Sequence, residues 1–462
     1  MIRKTCFSCL HRSTFDLLKD CSVRATIRSL SGINYQRKFS TSGTKMDKFG
    51  LPDRLKDSSP SVWNEYSALA AKYNPLNLGQ GFPDFPPPSY VIKALVDATT
   101  NPNVLLNQYT RGFGHPRLVQ ALAKLYSKVT NRDINPLSEI LVTCGAYEAL
   151  YASIMGHVEK GDEVVIIEPY FDCYEPMVKM AHGVPRFVAL KPRPCEGKMT
   201  SNDLVLDPKE LESAFNEKTK MIILNTPHNP TGKVFTEAEL KTIADLCRKW
   251  NVLCVSDEVY EWMVYGEHEH IRICNLPGMW ERTISIGSAG KAFSVTGWKL
   301  GWAYGPANLI TNLQMVHQNS VYTSATPIQE AVASGIEFEL SRFDSPECYF
   351  KSFAQELKVK RDVMADFLQD AGMRPIIPDA GYFMFADWSK LERKVDLSSE
   401  TDKYKDYRFT KWMTKNIGLQ AIPASAFYSD GYKALGEAYV RYCFAKKDEN
   451  LMKAKELLKK LK

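Results

Sequence analysis

Between residues 140 and 305, short apolar and β-branched runs alternate with stretches of helical period. No other feature constrains the fold of this chain as strongly. Ile140 to Thr143, Val164 to Ile167, Met221 to Leu224 and Val252 to Val255 each read as a strand buried on both faces. Between the last two, Thr236 to Trp250 is apolar at helical spacing. Strands alternating with helices predict an α/β fold with a mostly parallel sheet. At 462 residues and 44% apolar content the chain can bury a large core and split into two lobes. No internal repeat and no apolar run long enough to cross a membrane is present.

Open parallel sheets bind their ligands beyond the carboxyl ends of the strands, so the residues placed there carry the functional argument. The run from Met221 to Leu224 ends in Asn225-Thr226-Pro227-His228-Asn229-Pro230-Thr231-Gly232, a stiff turn that presents Asn229. The next strand ends at Asp257, with Tyr260 shortly after. The strand from Ile140 passes through Gly145 into a helix. The N–H groups of Gly145, Ala146 and Tyr147 at its start favour a phosphate. Finally, Ser285-Ile286-Gly287-Ser288-Ala289-Gly290-Lys291-Ala292 sets one lysine between small residues, where an amine could reach a planar cofactor. Ser288 and Lys299 add a hydroxyl and a cation of the kind that anchors phosphate.

The stretch from Ser285 to Trp302 closely resembles the cofactor-bonding lysine segment of the aspartate-aminotransferase-like pyridoxal-phosphate (PLP) enzymes. The resemblance implies that Lys291 bonds PLP and serves as the catalytic base, and that Asp257 holds the pyridine nitrogen protonated. It further implies that Asn229 and Tyr260 bond the ring's phenolic oxygen and that Phe171 lies flat against the ring. Ala438 to Phe444 alternates as a strand with one arginine among apolar residues, and a guanidinium fork matches a carboxylate in two parallel hydrogen bonds. In the family that arginine, here Arg441, grips the substrate's α-carboxylate. The implied architecture is a large domain with a mostly parallel seven-stranded sheet and a smaller α+β domain, assembled as a homodimer.

Further runs resemble one branch of the family: kynurenine aminotransferase, also known as glutamine transaminase K or cysteine-S-conjugate β-lyase. They are Asn77 to Pro88, Leu106 to Thr110, Glu168 to Pro176, Asn275 to Arg282 and Val316 to Val321. Together they extend the resemblance from about Leu51 to the C-terminus. By position, Trp63, Tyr109, Tyr147 and Tyr322 would form an aromatic cage, with Gly81 leaving room beside the bound amino acid. Tyr109 would come from the neighbouring subunit and also touch the cofactor phosphate. Position 322 departs from the branch, with tyrosine where mammalian members carry phenylalanine, and His228 stands where asparagine is common. Aromatic walls favour kynurenine, phenylalanine, tryptophan, methionine or S-conjugated cysteine as amino donor. The implied activity is ping-pong transfer of an amino group to a 2-oxo acid, with elimination where the substrate carries a leaving group on Cβ. A PLP-fold regulator and another PLP enzyme on the same scaffold are the rival readings. No helix-turn-helix pattern of the kind such regulators carry is read before Leu51.

Residues 1–45 are compositionally separate. They carry nine lysines and arginines against Asp16 and Asp20, with many serines and threonines, which is the pattern of a mitochondrial transit peptide. The net charge of +6 therefore resides in this leader, and no nucleic-acid partner is expected. The expected address is the mitochondrial matrix, with a cytosolic form starting at Met46 as the alternative. The expected divisions are 46–80 for an N-terminal arm, 81–340 for a large cofactor domain and 341–462 for a small C-terminal domain. The eleven cysteines are scattered and read as reduced thiols. Glu267-His268-Glu269-His270 reads as a solvated loop rather than a metal site, and Lys453 to Lys462 as a solvated amphipathic helix.

Overall fold

The computed structural model describes residues 49–56, 61–194 and 197–461. The leader of residues 1–45 and the start at Met46 lie outside the described residues. Pro52–Lys462 forms one unit, and all that follows concerns it.

Fourteen strands are defined among the described residues. They begin with β1 (Leu76–Asn77), β2 (Ile140–Thr143), β3 (Glu163–Glu168), β4 (Val184–Pro192) and β5 (Leu204–Leu206). Then come β6 (Thr219–Asn225), β7 (Leu253–Asp257), β8 (Thr283–Ser288), β9 (Gly301–Tyr304) and β10 (Arg374–Ile376). The last are β11 (Phe383–Asp387), β12 (Leu419–Gln420), β13 (Ile422–Pro423) and β14 (Tyr439–Cys443).

Eight of them form one sheet in the order β2-β9-β8-β7-β6-β3-β4-β5. Its centre, β8-β7-β6-β3-β4, is parallel throughout. β9 runs antiparallel to both β2 and β8. The sheet thus has eight strands where seven were expected. The additional one is β5, three residues laid antiparallel along the edge of β4. A second sheet, β10-β11-β14-β13, is antiparallel.

The central strands β3 and β7 are wholly buried and β6 is buried except at Lys220, as their apolar runs require. The helix Glu237–Trp250 connecting β6 to β7 starts on a capping box, Thr236 with Glu239, and ends on left-handed Asn251. Its apolar face, including Leu240, Ile243 and Cys247, packs on one side of the sheet. Around the second sheet lies a separate apolar cluster. The C-terminal helix Asp448–Leu458 joins it through Leu451, Ala454 and Leu458, so the lysine-rich tail is not merely solvated.

One close approach governs the start of the helix Gly145–Met155. Gly301 of β9 lies so near it that an added Cβ would stand 2.4 Å from the Ala146 nitrogen and 2.6 Å from the Gly145 carbonyl carbon. Both are backbone atoms and cannot rotate away. Gly301→Ala is expected to destabilise the chain by roughly 1–3 kcal/mol through overpacking. It should also weaken binding of whatever anion the helix start holds. Denaturant midpoints together with a cofactor titration check both effects, and an unchanged midpoint would contradict the packing argument.

Candidate active site

The carboxyl ends of β6, β7 and β8 open into a cavity of about 330 Å³, within the range of small-molecule sites. Strand register places the functional residues at one level. Asn225 and Asp257 are paired across β6 and β7, and Asp257 is paired with Ile286 of β8. Asn225 donates to the Asp257 carbonyl at 2.9 Å and accepts from the Asn229 N–H at 2.7 Å, which fixes the turn presenting Asn229.

The Asp257 carboxylate is buried at the floor of the cavity, and burial raises its pKa to about 6. The Tyr174 hydroxyl opposes this by donating to Oδ2 at 2.6 Å. Phe171 stands edge-on to Tyr174 and Tyr147, with ring centroids 6.1 and 6.3 Å away. At the opposite wall Lys291, in the short helix Ala289–Ala292, donates from Nζ to the Tyr382 hydroxyl at 2.6 Å. Burial pushes this amine down to about 8, and the nearby Arg441 cation adds to the fall. Tyr260 is buried against Tyr382, with centroids 5.2 Å apart.

One end of the cavity gathers the groups suited to a phosphate. Gly145 takes a left-handed φ of 74°, so that Ala146 and Tyr147 begin a helix with free N–H groups. Ser288 and Lys299 line the same cavity. The Lys299 amine would stand 3.4 Å from a Cβ on Gly145, which places it at the helix start. Burial pushes the Tyr147 phenol up to about 12.

The other end is built around Arg441. Its guanidinium donates to the Asn229 side-chain oxygen at 3.1 Å and to the Gly79 carbonyl at 3.0 Å, both uncharged. The rings of Phe383, Phe427 and Trp63 surround it at 3.9, 4.7 and 5.1 Å. Its Nε is buried without a partner, and no ion pair among the described residues includes it. Burial lowers its pKa to about 10. A cation so placed, with only neutral acceptors, is built to receive an anion.

The family described as aminotransferase class I and II matches residues 73–458.

The chain belongs to the class I and II aminotransferases.

Its cofactor is pyridoxal phosphate. It is 55% identical to kynurenine–oxoglutarate transaminase 3 of Mus musculus over 421 residues, 91% of this chain and 92% of the relative. To kynurenine–oxoglutarate transaminase 1 of Homo sapiens it is 48% identical over 412 residues, 88% of this chain and 97% of the other. Among solved structures, N-succinyldiaminopimelate aminotransferase from Mycobacterium tuberculosis superposes with a TM-score of 0.79 at 35% identity, covering 89% of this chain and 100% of that one.

The donor set fits the cofactor. Lys291 offers an amine to its aldehyde, Asp257 an anion to its ring nitrogen, and Phe171 an aromatic wall. The helix start with Ser288 and Lys299 offers a cradle for its phosphate.

Two expectations for this aminotransferase, those for Gly81 and His270, need correction. Tyr109, expected from the neighbouring subunit, and Tyr322 do not line the cavity of their own chain. They pair edge-on at 5.8 Å, 82% and 58% exposed, so one chain supplies only Trp63 and Tyr147 of the aromatic cage. Gly81 lines the cavity but leaves no open room. An added Cβ would meet the Phe383 ring at 2.3 Å, because the missing side chain admits that ring over Arg441. His270 is not part of a solvated loop, although Glu267, His268 and Glu269 are exposed. It turns inward to Glu258 at 3.0 Å, and Arg272 beside it pairs with both Glu261 and Glu258, so these carboxylates already have partners. His228 is buried against Thr231 at 2.8 Å and, with burial pushing it down to about 3, stays neutral.

Asn225, Tyr174, Tyr382 and Phe383 escaped the sequence reading. Asn225 had a usable signal as the last residue of a buried strand before the turn. Tyr382 and Phe383 lie in no motif and reach the site only through the second sheet.

Proposed function

We propose that this aminotransferase moves the α-amino group of kynurenine, of other aromatic or sulfur-containing amino acids, or of glutamine to a 2-oxo acid. The observation that carries this reading is the Arg441 guanidinium, buried without a carboxylate and walled by Trp63, Phe383 and Phe427, in the cavity that holds Lys291. The names of the relatives support the donor class.

Bound pyridoxal phosphate would supply an electron sink for the pair left when the Cα–H bond breaks. The chain's residues do the rest. Arg441 receives the donor's α-carboxylate and so fixes which Cα bond faces Lys291. Lys291, with its proton affinity lowered by burial, is a neutral amine often enough near neutral pH to take the α-proton. Asp257 remains ionised above its raised pKa and would hold the proton on the ring nitrogen, with Tyr174 steadying the carboxylate. Asn229 and Tyr260 would donate to the ring's phenolic oxygen, and Gly145, Ala146, Tyr147, Ser288 and Lys299 would hold the phosphate. Taking the same α-proton from a cysteine S-conjugate would allow its sulfur group to leave from Cβ.

The reading extends to assembly and address. The exposed pair Tyr109 and Tyr322 supports a homodimer in which the neighbouring subunit completes the aromatic cage and Tyr109 reaches the phosphate. The eight strands at 140–304 and the four at 374–443 support a boundary near 340 between a large and a small domain. The basic composition of residues 1–45 supports a mitochondrial address, with a cytosolic form starting at Met46.

The test is the half-reaction. Purified protein with pyridoxal phosphate is mixed with L-kynurenine and no 2-oxo acid, and the visible absorption of the lysine-bound cofactor is followed. The absorption should disappear and return when a 2-oxo acid is added. A response to glutamine or methionine but not to kynurenine would keep the aminotransferase and overturn the kynurenine assignment. No response to any amino acid would overturn the reading.

A further inference from the structure

Lys291 has a hydrogen-bond partner that the reaction as described does not use. Tyr382 is fully buried, just ahead of β11, and its ring is wedged between Tyr260 and Phe383. Its main-chain oxygen accepts from the Phe444 N–H at 3.0 Å, so backbone as well as packing fixes its place. The hydroxyl lies 2.6 Å from Lys291 Nζ and 2.8 Å from the Gly81 carbonyl oxygen.

The hydrogen bonds run from Lys291 to the phenolic oxygen and from the phenol to Gly81. The Gly81 carbonyl only accepts, and it takes the single phenolic proton. The phenolic oxygen therefore accepts from a Lys291 N–H. The same Gly81 carbonyl lies 3.4 Å from Nζ, on the same side. A neutral amine has two N–H bonds and one lone pair. With its donors drawn toward Tyr382 and Gly81, the lone pair faces the other way, into the cavity.

We infer that Tyr382 is the positioning residue for Lys291: through the relay from Lys291 to the Tyr382 hydroxyl to the Gly81 carbonyl, it aims the amine's lone pair at the bound substrate. This rests on the reading above that Lys291 is the base. Tyr382 acts through Lys291 and need not touch substrate. The relay also joins the two sheets, because Tyr382 is carried by the antiparallel sheet and Lys291 follows β8 of the parallel one.

The charged amine needs the phenolic oxygen more than the neutral one does, so the relay has a pH signature. The other groups facing Lys291 are Asp257 at the end of β7, Arg441 and Cys443 on β14, Lys299 and Tyr260. Burial and the cations lower the amine's proton affinity, while Asp257 and Cys443 raise it. Tyr382→Phe keeps the ring and its packing, and leaves all of those groups in place.

The experiment compares wild type with Tyr382→Phe in protein stripped of cofactor, following the rate at which added pyridoxal phosphate bonds to Lys291 as a function of pH. Only the neutral amine reacts, so the rate rises with pH through the amine's pKa, near about 8 in the wild type. In the variant the midpoint should fall by roughly one pH unit, because the ammonium form has lost its acceptor. In the reloaded variant, exchange of the donor's Cα–H for solvent deuterium should slow by about 10- to 100-fold. KM for the donor should change by less than about twofold. An unchanged midpoint with unchanged exchange would overturn the inference. Equal losses of thermal stability, cofactor capture and exchange would assign Tyr382 to packing and overturn it as well. Failure of wild-type Lys291 to bond the cofactor would instead overturn the proposed function, so the two failures are distinguishable.

Discussion

Replacing Lys291 with alanine is expected to slow amino transfer by at least about 1,000-fold, the largest effect foreseen for any single substitution in this chain. On the proposed function the change removes two roles together, the covalent hold on the cofactor aldehyde and the base that takes the α-proton. Lys291→Arg should fall as far. A guanidinium keeps the charge but is not deprotonated in proteins, so it cannot act as the base. That comparison separates the need for a cation from the need for a neutral amine. The lysine-bound absorption should vanish in both variants. The helix start at Gly145, with Ser288, Lys299 and Asp257, still offers the cofactor charge and hydrogen bonds, so some should remain bound without the covalent link. Stopped-flow absorbance with L-kynurenine and equilibrium dialysis of pyridoxal phosphate measure the two outcomes. Near-normal turnover in either variant would contradict the role given to Lys291.

The second large effect belongs to Arg441. Arg441→Lys is expected to reduce kcat/KM for amino acids by about 30- to 3,000-fold, the range for breaking a buried, hydrogen-bonded charge pair. Lysine retains the charge but not the planar fork. In this site it would lose the donations to Asn229 and Gly79 and the stacking on Phe383. Bonding of the cofactor to Lys291 should persist, since Arg441 lies at the other end of the cavity from the phosphate cradle. Steady-state kinetics over a series of amino donors, with cofactor absorption as the control, would check this. A variant that lost cofactor and substrate together would instead point to collapse of the aromatic surround.

Much of this site was legible in the sequence because its parts lie at the ends of strands whose composition is unambiguous. Asn229 and Asp257 each follow an unbroken apolar run within a few residues, and Lys291 follows the alternating run Thr283 to Ser288, patterns with few alternatives in a chain of this size. Register then brings them to one level without long-range information. Arg441 was legible for a different reason, as one cation in an alternating strand that would otherwise be buried unpaired.

Other features were not legible because they depend on how separate elements meet. The contacts of Tyr382 and Phe383 are set by where the antiparallel sheet rests on Gly81, some 300 residues away in sequence. The same meeting explains why Gly81 is small: it makes way for a ring, not for substrate. Three-residue β5 carries too short a pattern to be told from loop, and it is what separates eight strands from seven. His270 turned inward because buried Glu258 needed a partner, a demand visible only once Glu258 is known to be buried.

The order of the site's residues along the chain bears on its birth. The cofactor-facing groups, from Gly145 to Lys299, all precede the long helix Tyr349–Asp370, whereas Arg441 lies on β14, the last strand. A ribosome delivers these parts in sequence, with the N-terminal portions free to fold first. An unfinished polypeptide therefore lacks the arginine proposed to grip an amino acid, however far the earlier part has folded. On that proposal catalytic competence would arrive only at the close of translation, and products cut short before β14 would stay inert toward the cellular amino-acid pool.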